Sequence, residues 1–183
     1  MRRTHLLIGT MLLVLTACTS SDPGTIIAEV RTSTLVCSSM IDSSLDLPSS
    51  YTDILGVVAL PTSESAPAAL QVNRDDKAPP IERYWAKTGL VVMAGRSFEL
   101  RIADDLVGSA AMGWGSPAQM VERVVDGGCE GGSGWVAYPG GFVVDEPRCI
   151  RITVKSGNDE QTVDIGVGAP CDGQEPPPYP SDS

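Results

Sequence analysis

The chain has 183 residues and carries 23 acidic against 13 basic side chains, a net charge of −10. That length suits one domain with a real hydrophobic core. An acidic balance excludes nucleic acid as a natural partner, because phosphate binding needs a basic face.

The first element is a leader. Met1-Arg2-Arg3 is a short positive start, and an apolar run follows from Leu6 to Leu15. A spanning helix needs about 20 apolar residues, so this run is too short to cross a bilayer and fits a secretory signal instead. Leu15-Thr16-Ala17-Cys18 resembles the lipobox of bacterial lipoproteins. The resemblance implies that residues 1–17 are removed and that the Cys18 thiol takes diacylglycerol. Its new amine would then take a fatty acid such as palmitate, and two or more chains hold a protein stably at a membrane. The expected location is the cell membrane, lipid-anchored and facing the extracytoplasmic side. Cleavage takes away Arg2, Arg3 and no acid, so −10 becomes −12. Residues 18–32 are polar and patternless, a lipidated flexible tether.

Residues 33–172 read as a strand-rich domain. Ile54 to Leu60 is a continuous apolar run closed by Pro61, a buried strand by pattern. Ala68 to Val72 is a weaker strand. Gly89 to Met93 and Phe98 to Ala103 flank Ala94-Gly95-Arg96 and read as a hairpin. Pro117 to Val125 fits a short helix capped by Ser116 or a strand, and the strand pattern is the stronger. Trp135 to Val144 supplies two short strands around Pro139-Gly140-Gly141. The clearest hairpin is last: Ile150, Ile152 and Val154 alternate with polar residues, Gly157-Asn158-Asp159 turns, and Val163, Ile165 and Val167 answer. The expected fold is all-β, a single β-sandwich of about seven to eight strands, immunoglobulin-like or Greek-key, with at most one short helix. Residues 173–183 hold Pro176-Pro177-Pro178 and Pro180 and read as a disordered tail.

The segments AKTGLVV (86–92), GWG (113–115), WVAYPGGFVVDEPRC (135–149) and IGVGAPC (165–171) resemble those of an uncharacterised group of actinobacterial lipoproteins. The resemblance covers most of residues 37–171. It implies the address and a disulfide-linked β-sandwich-like domain, and no activity.

Five cysteines leave four once Cys18 is assigned to lipid: Cys37, Cys129, Cys149 and Cys171. An even number outside the cytosol reads as two disulfides, with three connectivities open. The favoured pairing is Cys129 with Cys149 and Cys37 with Cys171. The first closes a moderate loop and the second ties the ends of the domain.

The chemistry of the domain is bounded by what it lacks. His5 is the only histidine and lies in the leader. That removes a histidine-based nucleophile system and histidine zinc or copper sites. Paired cysteines remove thiol chemistry, and no phosphate-binding glycine loop is present. Neither a cofactor nor a metal is expected. Asp75-Asp76, Asp104-Asp105 and Asp145-Glu146 are adjacent acids. Two carboxylates at the right separation run glycoside hydrolysis, yet neighbours on a strand point to opposite faces. None of these segments has the spacing of a calcium loop. Met93, Met112 and Met120 are core packing by position. Trp114, Trp135 and Tyr138 cluster in the Gly-rich segment 113–142 and are the candidate ligand platform. The expectation is a non-enzymatic binding or interaction module of the cell envelope, with an envelope protein or glycan as ligand. The alternative is an envelope polysaccharide hydrolase using paired carboxylates.

Overall fold

The computed structural model describes residues 29–74, 83–127, 129 and 133–179, leaving aside the side chains of residues 44 and 45. The expected leader, Cys18, most of the expected tether, the Asp75-Asp76 pair and the last four residues lie outside that set.

The described residues form fourteen strands, in chain order. They begin with β1 (Thr32–Thr34), β2 (Asp42–Leu45), β3 (Thr52–Ile54), β4 (Val58–Leu60), β5 (Asn73–Arg74), β6 (Tyr84–Lys87) and β7 (Leu90–Met93). They continue with β8 (Glu99–Ile102), β9 (Ala110–Trp114), β10 (Arg123–Val125), β11 (Trp135–Tyr138), β12 (Gly140–Val144), β13 (Arg148–Ser156) and β14 (Asp159–Val167). Among the described residues helix is limited to two three-residue 3₁₀ turns, Cys37–Ser39 and Asp104–Leu106. The strands form a first sheet ordered β1-β10-β8-β13-β14, a second ordered β2-β11-β7-β4-β3 and a third ordered β5-β6-β12-β9. The chain is therefore all-β, but the expected seven or eight strands become fourteen in three sheets.

The count rises chiefly because β1, β2, β5, β6 and β9 lie in stretches that carry no strand pattern, and once because an apolar run breaks at a turn. Ile54 to Leu60 is two strands, since Leu55 and Gly56 both take positive φ and turn the chain back. The Gly56 N–H donates to Asp53 Oδ1 at 2.9 Å, which holds the turn. β7 and β8 do not form the expected hairpin. Ala94-Gly95 redirects the chain, and the two strands enter different sheets. Ala68 to Val72 makes only isolated bridges, Ala68 with Glu175 and Leu70 with Val167. Pro117 to Val125 yields β10 and a bridge from Val121 to Met112, without helix. The β13–β14 hairpin stands as read, with Ile150 opposite Ile165, Ile152 opposite Val163, and Gly157-Asn158 at the tip.

The second and third sheets share one long bent ladder. Tyr84 to Lys87 pairs with Val144 to Gly141, and Leu90 to Met93 pairs with Tyr138 to Trp135. Between them the Thr88 N–H still donates to the Gly140 carbonyl at 3.0 Å. The core draws Ile54, Leu90, Leu100, Met112, Phe142, Ile152 and Ile165 from all three sheets.

Both ends depart from the sequence reading. The fold starts before residue 33: β1 pairs in parallel with β10, and Arg31 is bonded to Glu122. The tail is docked through residue 179 rather than disordered there. Ala69 donates to the Glu175 carbonyl, Glu175 donates to that of Pro67, and Tyr179 donates to Gln71 Oε1. Prolines lack an N–H, but the residues just before them supply the backbone pairing that composition cannot show.

Candidate functional site

Both ends of the Gly-rich segment 113–142 meet at the joint of the bent ladder, where Gly113 to Gly115 lie against Pro139 to Gly141 and Thr88-Gly89. A bend frees backbone carbonyls that a straight ladder would satisfy, and buried carbonyls need partners. The Trp114 indole N–H donates to the Thr88 carbonyl at 3.0 Å. The Tyr51 hydroxyl donates to the Gly89 carbonyl at 3.2 Å, and Gly115 N–H serves the Pro139 carbonyl at 2.8 Å. The glycines allow close approach. A Cβ on Gly140 would lie 2.1 Å from the Gly113 carbonyl oxygen, and one on Gly141 would lie 1.9 Å from that of Ala86.

This geometry corrects the candidate ligand platform. Trp114 is buried and meets Phe142 edge to face, ring centroids 5.3 Å apart. Tyr138 is fully buried. Along β11, Val136 and Tyr138 face in while Trp135 and Ala137 face out, so Trp135 alone of the three keeps a partly exposed side chain. The alternation of a strand separates residues that composition had grouped.

The disulfide pairing is corrected as well. Cys37 bonds Cys129, and Cys149 bonds Cys171. Cys149 sits on β13, whose hairpin partner β14 returns to Arg148 and then leads directly to Cys171. Cys129 is instead carried beside Cys37, because β10, just before it, pairs with β1, just before Cys37. The Tyr138 hydroxyl donates to Cys129 Sγ at 3.5 Å. Burial raises the Tyr138 phenol above its ordinary pKa, and the nearby Asp126 charge adds to this.

The sequence reading missed an apolar patch beside that disulfide. Val36, Met40 and Ile41 are 56%, 40% and 65% exposed, and among the described residues Tyr179 is the other exposed large apolar side chain. Met40, Met93, Val136 and Tyr138 join the disulfide around a cavity of about 80 Å³. β2 follows at once and is an edge strand. No alternation marks these residues, because they sit on a 3₁₀ turn and its flanks.

The two described acid pairs turn to separate arginines. Asp104 bonds Arg101, while Asp145 and Glu146 both bond Arg148. Among the described residues no group of three or more metal-ligating side chains gathers. The buried acid is Glu122, which accepts from the backbone N–H and guanidinium of Arg31. Burial pushes its carboxyl up, but the Arg31 bonds and charge outweigh burial and hold it below the ordinary 4.5. A depressed carboxyl contributes stability that is complete above that value and is lost as pH falls through the folded-state value. Arg31 is half exposed, so the contribution belongs in the range of about 1 kcal/mol or less for screened pairs. Glu122→Gln should therefore flatten the acid limb of a urea-midpoint profile below about pH 4.5. Parallel wild-type and variant profiles would show that the pair adds nothing.

No helix among the described residues is long and apolar enough to cross a membrane. No family model, curated protein or solved structure matches the chain.

Proposed function

We propose that this chain is a lipoprotein, anchored by acylated Cys18 to the extracytoplasmic side of the cell membrane, and that it works as a non-enzymatic interaction module. Its scaffold is read as a sandwich, with the first sheet closing over the bent ladder of the other two. The partner is another envelope protein that presents an extended apolar segment. The gathering of Val36, Met40 and Ile41 beside the open edge of β2 carries this reading. A strand edge offers unpaired N–H and C=O groups, and exposed apolar side chains beside it supply pockets for alternate residues. The aromatic platform for a glycan loses its support, because Trp114 and Tyr138 are spent in the core. The hydrolase reading needs one carboxyl held up as an acid, whereas the buried Glu122 is held down.

Two measurements test the two halves separately. Cys18→Ser should release the protein from membranes on fractionation, and persistent membrane partition would end the anchor claim. A photo-cross-linker at position 41 of the whole chain, in cells, should give one discrete adduct that Met40→Ser removes. The same adduct from position 155 on the first sheet, or none from position 41, would end the claim for the patch.

A further inference from the structure

A second cavity, of about 220 Å³, lies at the end of the third sheet, away from the disulfide patch. Its floor is apolar: Ala111 on β9 and Val143 on β12 are buried neighbours in the ladder. Two arginines, Arg31 and Arg83, line it together with Ser109 and Asp145.

These charged groups are not equivalent. Arg31 is fixed, because its Nε and one terminal nitrogen donate to the buried Glu122 carboxylate. A guanidinium has five N–H donors, so fixing that edge leaves others for a ligand, and the side chain remains half exposed. Glu122 thus acts as a positioning residue for Arg31. Arg83 is paired with no carboxylate in the described ion pairs. Asp145 also lines the cavity, shares Arg148 with Glu146 and accepts the Glu146 N–H. An entering anion would therefore meet the guanidinium of Arg83, which no carboxylate among the described residues holds, and the remaining donors of Arg31, while Asp145 is turned to Arg148. Trp85 pairs with Val143 in the ladder, which puts an aromatic side chain beside the apolar floor.

We propose that this cavity binds an oxyanion, a carboxylate or phosphate, carried on a ring the size of one sugar unit. Guanidinium groups bond carboxylate and phosphate oxygens with charge assistance. The apolar floor takes the ring. The volume lies below the roughly 300–1,000 Å³ of drug-sized sites, which sets the scale at a single ring. The same chemistry arises from a free sugar acid or sugar phosphate and from the repeating unit of an acidic polymer. The site is independent of the Cys18 anchor and of the patch around Ile41.

The test is calorimetric titration of the whole chain in mild detergent with glucuronate, inorganic phosphate and polygalacturonate. Glucuronate or phosphate should bind saturably, and Arg83→Gln should weaken that binding about ten-fold or more, the loss of a charge-assisted hydrogen bond. The melting temperature should not move, because Arg83 lies outside the core. Arg31→Gln strands a buried acid and can unfold the chain. The double variant Arg31→Gln, Glu122→Gln avoids this and should also weaken binding. Polygalacturonate binding more tightly per ring than glucuronate assigns the site to a polymer, and weaker binding assigns it to a free acid. No saturation by either small probe, or equal affinity in wild type and Arg83→Gln, overturns the proposal.

Discussion

Trp114→Ala and Tyr138→Ala should each lower the unfolding free energy by about 3–5 kcal/mol, while Trp135→Ala should cost only about 1 kcal/mol. The first two remove large buried side chains from the core. Trp114→Ala also orphans the Thr88 carbonyl that the indole serves at the bend, and a buried group without its partner costs its full desolvation. Trp135 faces outward on the same strand as Tyr138, so its loss opens no core cavity. Chemical denaturation of the three single variants checks the ordering. Equal losses at all three positions would remove the joint as the account of this segment.

Opening Cys37–Cys129 by a double serine substitution should cost about 4–5 kcal/mol, more than the ~3.4 kcal/mol expected for Cys149–Cys171, on the chain-entropy scale. The two bridges span 92 and 22 residues, and the longer loop leaves the unfolded chain with more freedom to regain. The first bridge also ties Cys129 to the 3₁₀ turn at Cys37–Ser39. Denaturant titration of both double variants reads the difference. A larger loss from the shorter loop would mean that native contacts around Cys149 and Cys171, not loop length, set the ranking. Peptide mapping without reduction should recover these two pairs.

Much of the strand content was legible because alternation records one buried face. The β13–β14 hairpin is the clearest case: every inward residue from Ile150 to Val154 and from Val163 to Val167 is apolar. Ile54 to Leu60 was misleading because a strand buried on both faces and a short buried hairpin give the same apolar run. Gly56, three residues after Asp53, was the available sign of the turn. The cysteine pairing was not legible, since it follows from the parallel pairing of β1 with β10, ninety residues apart, which leaves no local pattern. The cluster of Trp, Tyr and Gly between 113 and 142 was visible but ambiguous. Glycine serves a close ligand and a close neighbouring strand equally well, and only the three-dimensional register separates them. Arg31 and Arg83 stand 52 positions apart with no motif between them, and their meeting depends on β1 and β6 entering the fold at the same end.

The bridge between residues 37 and 129 also determines how the molecule bears tension. A pull on the first residues acts along β1, which lies parallel to β10 with three residue pairs in register. Parallel strands drawn lengthwise resist in shear, so their bonds must give together rather than one after another. Beyond β1 the force reaches Cys37 and passes through sulfur to Cys129. For any load between the chain's start and a point after residue 129, the 92-residue span from β2 to β10 lies inside a closed covalent loop. That span cannot be paid out as slack. For such a load the extensible length ahead of the bridge is confined to the residues before Cys37.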